Sequence, residues 1–242
     1  MRPAGCTLSK EKVPYEPGKG AALSGRMNSV FDSSCRRCPR LAAFLDAVRR
    51  ERSDYYCRPV PPFGDPHARL VIVGLAPGMH GANRTGRPFT GDHAGILLYR
   101  TLFDLGLASA PTSTSADDPL KLTGVRITNA VKCVPPQNKP LPIEVATCNA
   151  FLKAELTQSA DARVILALGA IAHAAVLRAL EVSGARLRFA HGVEHELGGG
   201  RMLVDSYHCS RYNTQTRRLT ARMFETVVRR ALALVAERSW DR

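Results

Sequence analysis

The sequence predicts an α/β protein, a three-layer α/β/α arrangement around a central parallel sheet of four strands. Three observations lead there. First, four short apolar runs have the length and unbroken hydrophobicity of strands covered on both faces: "ARLVIVG" (68–74), "VRITNAV" (125–131), "ARVILALG" (162–169) and "RMLVDSYH" (201–208). Second, segments with helical spacing alternate with those runs, the pattern of a sheet with helices on both sides. Third, three of the four strands end in unusual chemistry, and ligands of open parallel sheets gather beyond the carboxyl ends of the strands.

Along the chain, residues 1–28 form a polar segment without an apolar signal core, read as a flexible arm ahead of a single domain over 29–242. A helix is predicted at 38–52, before the first strand. After that strand comes "GLAPGMHGANRTGRPFTGDHAG" (74–95), with six glycines and two prolines, and then helical spacing over 93–107. Glycine at this density allows tight turns or close approach of a ligand to the backbone. The Ser/Thr/Asp-rich "ASAPTSTSADDP" reads as a surface loop. Helices are predicted at 143–158 and 170–182, and one long helix is predicted from "TQTRRLTARMFETVVRRALALVAERS" at the end.

Charge narrows the function. Lys plus Arg number 34 against 21 Asp plus Glu, a net charge of +13. An excess of this size suits a polyanionic partner, nucleic acid above all, or else a solvated basic surface. No stretch approaches the roughly 20 apolar residues of a membrane span, so no membrane partner and a cytoplasmic location are expected.

In that compartment the seven cysteines are thiols or metal ligands rather than disulfides. Cys35 and Cys38 have C-x-x-C spacing, Cys133 ends the second strand region, and Cys148 lies in the following helix. Four such residues can hold zinc or an iron–sulfur cluster. A redox C-x-x-C beside two unrelated thiols is the other reading.

Three segments in order carry a resemblance: the glycine-rich run at 74–95, "ITNAVKCVPPQNKPLPIEVATC", and "HCSRYNTQTRRL". Together with the four cysteines they resemble the uracil-DNA glycosylase superfamily, specifically its iron–sulfur-containing family 5, over about residues 35–235. The resemblance implies a uracil-DNA glycosylase-like fold. It also implies a [4Fe–4S] cluster on Cys35, Cys38, Cys133 and Cys148, and double- or single-stranded DNA containing uracil or deaminated bases as partner. A glycosylase that flips its base needs a pocket that reads the base edge.

The resemblance also implies roles. Gly74, Ala76 and Gly78 let backbone approach the base. Phe89 stacks on it, or else anchors the loop in the core. Asn129 pairs with uracil N3–H and O4, or caps a turn. His208 stabilises the leaving base near O2, or bonds a backbone carbonyl. Where related families place an acidic or amide side chain for the water, this chain has Leu75 and Ala76. Asp92 is the nearest acidic candidate, and it is equally an N-cap for the helix near His93. His80 and Asn83 are weaker candidates for contacts to base or phosphate.

Strict uracil enzymes carry a bulky aromatic where Gly78 stands, which implies a roomier pocket that also accepts hypoxanthine and 5-substituted uracils. No lysine is placed for Schiff-base chemistry, so a monofunctional enzyme is expected, and a monomer is the default for a domain that wraps a duplex. In the last segment Ser210, Arg211 and Tyr212 are expected to contact DNA, with Tyr212 as a minor-groove wedge. Cys209 and Arg217 depart from the family's usual proline and glycine. A non-catalytic iron–sulfur nucleic-acid-binding protein of the same fold is the alternative.

Overall fold

The computed structural model describes residues 31–237; the expected arm at 1–28 lies outside them. In chain order the elements are α1 (Pro39–Glu51), β1 (Phe63–Gly64), β2 (Leu70–Gly74), α2 (Ala82–Thr85), α3 (His93–Asp104) and β3 (Val125–Asn129). They continue with α4 (Pro142–Gln158), β4 (Val164–Leu168), α5 (Ala170–Ala179), β5 (Glu194–Leu197), β6 (Arg201–Ser206), α6 (Arg211–Gln215) and α7 (Ala221–Glu237).

The four predicted strands form the parallel centre, in the order β3-β2-β4-β6. The sheet is nevertheless six-stranded, because β1 pairs antiparallel with β3 and β5 antiparallel with β6. Neither edge strand is legible in the sequence. β1 is two residues long, and β5 reads "EHEL", which is polar. Short and charged strands at the edges also blunt association between sheets.

Every residue of β2 and β4 is buried, which explains their unbroken apolar runs. Alternation along the strands separates two cores. Leu70, Ile72, Ile127, Leu166 and Val204 face α3 and α7, where Leu98, Tyr99, Leu102, Phe224 and Val228 meet them. Val71, Val73, Ile165, Ala167 and Leu203 face α4 and α5, against Leu152, Leu156, Ala172 and Val176. Helix α1 packs beside the sheet's β3 side, with Leu41 against Cys148 and Phe151.

The single long C-terminal helix is corrected to two. Arg217 has φ of +57°, which ends a helix, and the Thr220 hydroxyl accepts from the Met223 amide at 3.2 Å to start α7. Arg217 thus occupies a conformation that suits glycine.

Two buried polar clusters fix the layers to one another. Asp205 Oδ1 meets His173 Nδ1 at 2.9 Å and its Oδ2 meets His195 Nε2 at 3.1 Å, while His173 Nε2 meets the Leu187 carbonyl at 2.9 Å. Both ring nitrogens of His173 are thus engaged, and the Asp205 carboxylate is bonded through both of its oxygens. The second cluster joins β3 to α4. Lys132, 1% exposed, donates to Glu155 Oε2 at 2.7 Å and to Thr128 Oγ1 at 2.5 Å, and Thr128 donates to the same Glu155 oxygen at 2.7 Å. No described helix is long and apolar enough to cross a membrane.

Breaking one member of a buried ion pair leaves a desolvated charge. Lys132→Met is therefore expected to destabilise the fold by about 3–5 kcal/mol, and Lys132→Met with Glu155→Leu by clearly less. Urea unfolding followed by circular dichroism measures both.

Candidate active site

The carboxyl ends of β2, β3, β4 and β6 converge on a small set of side chains. Gly74 pairs in register with Asn129 across β2 and β3. A methyl group at position 74 would lie 2.4 Å from Asn129 Oδ1 and 2.6 Å from Phe89 Cζ, so only glycine fits there. The chain then leaves both strands together, with the Ala130 amide on the Gly74 carbonyl and the Val131 amide on the Leu75 carbonyl, each at 2.9 Å. Asn129 is 3% exposed, and its Oδ1 has no hydrogen-bond partner among the described residues. A buried acceptor without a donor is uncommon in a folded chain; among the described residues Asn83 Oδ1 and Glu155 Oε1 share the feature, and Asn129 is the one of the three that ends a central strand.

The Phe89 ring is buried and stacks beside the His208 ring, with centroids 5.9 Å apart and planes 27° apart. Phe89 has φ of +54°, a left-handed backbone that bulky residues rarely adopt. His208 follows β6, and its carbonyl accepts from Asn213 Nδ2 at 2.8 Å, which ties it to α6. Burial pulls the imidazole pKa down to about 4, so the ring is neutral at ordinary pH. Gly169, the residue after β4, has φ of +101°, a backbone that favours glycine, and lies beside His208; sequence reasoning passed over it although "ALG" closes that strand's run.

Of the two roles considered for Asp92, the structure shows the helix cap. Its Oδ1 accepts from the Gly95 amide at 2.9 Å and caps α3. Its Oδ2 faces the glycine-rich loop, where a methyl at Gly78 would sit 3.3 Å away and one at Gly81 2.4 Å away. Burial raises this carboxyl above its ordinary range, against the pull of the Gly95 and Ala94 amides.

Other expected contacts fall in different places. Half-buried Ala76 packs against the group containing Leu41, Val131 and Cys148, behind the glycine-rich loop. Exposed His80 has its Nδ1 2.8 Å from the Tyr55 hydroxyl. Asn83 is fully buried, with its Nδ2 on Cys57 Sγ at 3.7 Å and Met79 Sδ at 4.0 Å. Ser210 caps α6 by accepting from the Asn213 amide at 3.4 Å. Arg211 and Tyr212 are exposed on that helix, Tyr212 at 70%.

The four cysteines singled out by spacing line one cavity with Leu41 and Phe151. Cys38 is the residue before α1, Cys133 follows β3, and Cys148 in α4 accepts from the Lys132 amide at 3.2 Å. Burial, and then the neighbouring thiolates, push Cys133 up to about 12; burial pushes Cys148 up to about 11. Cys57 and Cys209 are buried elsewhere, Cys209 within the core that faces α7.

The family model of the uracil DNA glycosylase superfamily matches residues 61–232. A type-5 uracil-DNA glycosylase of Thermus thermophilus is 49% identical over 207 residues, 84% of this chain and 94% of the relative. The Mycobacterium tuberculosis type-5 enzyme is 44% identical over 223 residues, 89% of this chain and 83% of the relative. A Pyrobaculum aerophilum type-5 enzyme is 45% identical over 204 residues, 83% of this chain and 88% of the relative. With three motifs meeting at one end of the sheet and a family match over most of the chain, the protein belongs to the uracil-DNA glycosylase superfamily, among relatives of type 5.

Proposed function

We propose that this chain is a monofunctional DNA glycosylase that hydrolyses the N-glycosidic bond of uracil in DNA and leaves an abasic site. The observation that carries the reading is the unpartnered, buried Oδ1 of Asn129 beside Phe89 and His208. That oxygen needs a donor, and uracil N3–H supplies one while uracil O4 accepts from Asn129 Nδ2. Cytosine presents the opposite pair and leaves two buried groups unmatched. Hypoxanthine offers the same donor–acceptor pair through N1–H and O6, which supports a wider substrate range, as does a glycine rather than a bulky aromatic at position 78.

In the reaction the C1′–N1 bond breaks with its electron pair going to the base. Negative charge then spreads to O2, where the neutral imidazole N–H of His208 donates. Asp92 Oδ2, not used by the helix cap, is the group offered to the water that attacks C1′. Exposed Arg211 and Tyr212 on α6 serve the DNA backbone and the gap left by the base. The enzyme works as a monomer in the cytoplasm.

Cys35, Cys38, Cys133 and Cys148 fit a [4Fe–4S] cluster. Buried thiols that oppose one another's ionisation become a stable set of thiolates around a cationic centre. Such a cluster would tie α1 to the Cys133 loop and to α4, a structural role, since hydrolysis of this bond requires no electron.

The test uses purified protein and a labelled duplex with one U·G pair. Strand cleavage at the uracil only after alkali treatment is expected. Asn129→Ala and His208→Ala are expected to lower turnover by about 10²-fold or more while duplex binding persists. Turnover retained in both would favour another site; no turnover in the parent with tight binding would favour the non-catalytic binder. Cys133→Ser is expected to remove the straw-brown colour and broad visible absorption that a cluster gives.

The half-buried His208 also sets a pH dependence. Its folded pKa of about 4 lies below the unfolded value of about 6.5, so between these the unfolded chain binds the extra proton. Stability is therefore expected to fall as pH drops through that window, and His208→Gln to flatten the slope. Thermal unfolding across a pH series measures it.

A further inference from the structure

We propose that Asp118, in the polar loop between α3 and β3, is a positioning residue that holds the Phe89 wall in place through Arg87 and thereby governs how a flipped base is seated. The inference rests on reading Phe89 as the wall against which that base stacks.

The starting point is the backbone at Phe89. A left-handed conformation at a bulky residue costs on the order of 1–3 kcal/mol and persists only when its surroundings over-determine it. Those surroundings are specific. Arg87, two residues before Phe89, is 6% exposed, and both terminal nitrogens of its guanidinium are bonded. It donates to Asp118 Oδ1, to the Ala116 carbonyl, to Ser113 Oγ at 3.1 Å and to the Asp118 carbonyl at 3.3 Å, and it lies 4.3 Å from the centroid of the Phe63 ring.

The next residues are held by the same loop. The Pro88 carbonyl accepts from the Tyr99 hydroxyl at 2.7 Å and from Thr90 Oγ1 at 3.2 Å. Thr90 Oγ1 lies 2.8 Å from Ser113 Oγ, and the Gly91 amide donates to the Ser113 carbonyl at 3.3 Å. On the other side, Gly95 leaves room for the Phe89 carbonyl, which a methyl there would meet at 1.7 Å. Residues on both sides of Phe89 are therefore tied down, and the ring projects to the place where Gly74 and Asn129 meet.

Asp118 is the hub of this brace. Its Oδ2 accepts from the Thr114 amide at 2.8 Å, Ser113 Oγ at 3.0 Å and the Ser115 amide at 3.3 Å, and its Oδ1 accepts from the Leu120 amide at 3.2 Å as well as from Arg87. Burial pushes the carboxyl up, but the Thr114 and Ser115 amides, the Arg87 guanidinium and the Ser113 hydroxyl outweigh it and hold the group at about 2. The brace is thus ionised throughout the working pH range. A loop that reads as surface filler from its composition places its one central carboxylate behind the pocket wall.

A double-mutant cycle tests this: Asp118→Asn, Phe89→Ala and the pair, each assayed for excision of uracil and of hypoxanthine from DNA. Asp118→Asn is expected to lower kcat/KM roughly tenfold or more, largely in kcat, and to change the uracil-to-hypoxanthine ratio in the same direction as Phe89→Ala. In the Phe89→Ala background it is expected to change neither further. Additive losses, or an Asp118→Asn protein with parental kinetics, would overturn the inference while leaving Phe89 as the wall. Parental kinetics in Phe89→Ala would instead overturn the reading on which the inference rests. If Asp118→Asn does not fold by circular dichroism, Ser113→Ala completes the same cycle, since it removes the hydroxyl shared by Thr90 and Asp118 without exposing a buried charge.

Discussion

One steric constraint organises this molecule: there is no room for a side chain at residue 74. The end of β2, the Asn129 carboxamide and the Phe89 ring share a space in which even a methyl would collide at 2.4–2.6 Å. Because Gly74 yields that space, a polar group and an aromatic ring come together at the mouth of a parallel sheet. The dense glycines of the segment after β2 are explained by close approach as much as by turning. Gly95 makes room for the Phe89 carbonyl and Gly81 for the Asp92 carboxylate.

The groups around that space are fixed from behind. Asn129 follows Thr128, which is bonded to Lys132 and Glu155, so the turn out of β3 is clamped at its start and three residues after Asn129. The next residue, Cys133, belongs to the four-thiol cavity. The cysteine cavity and the Asn129 amide thus lie on one short, doubly anchored segment. His208 is held on the far side by Asn213, and β6 before it is anchored through Asp205 to α5 and β5. Preorganisation of this kind places dipoles before charge develops, where they are most effective.

Much of this was legible in the sequence because strong local signals dominate it. Fully buried central strands must read as apolar runs, and β2 and β4 do. Asn129 and His208 stand out because chemistry-bearing residues interrupt those runs, the glycines by their density after β2, and the four cysteines by their spacing. What was not legible is tertiary. The edge strand β5 takes its pairing from β6 and not from its own composition, and the break between α6 and α7 depends on one left-handed arginine. Asn83 looks like a loop polar group but is turned inward by the short helix α2. Asp118 and Lys132 acquire their partners from residues 31 and 23 positions away, which no local pattern encodes.

The central claim is that the buried Asn129 oxygen reads a base donor. A substrate change tests this without disturbing the protein: compare excision of uracil with excision of 3-methyluracil from otherwise identical single-stranded DNA. A site built around a buried hydrogen bond rejects an analogue lacking the donor, so a fall in kcat/KM of about 10²-fold or more is expected. Equal excision of the two bases would contradict the account, because the group that Asn129 is held in place to meet would then be dispensable.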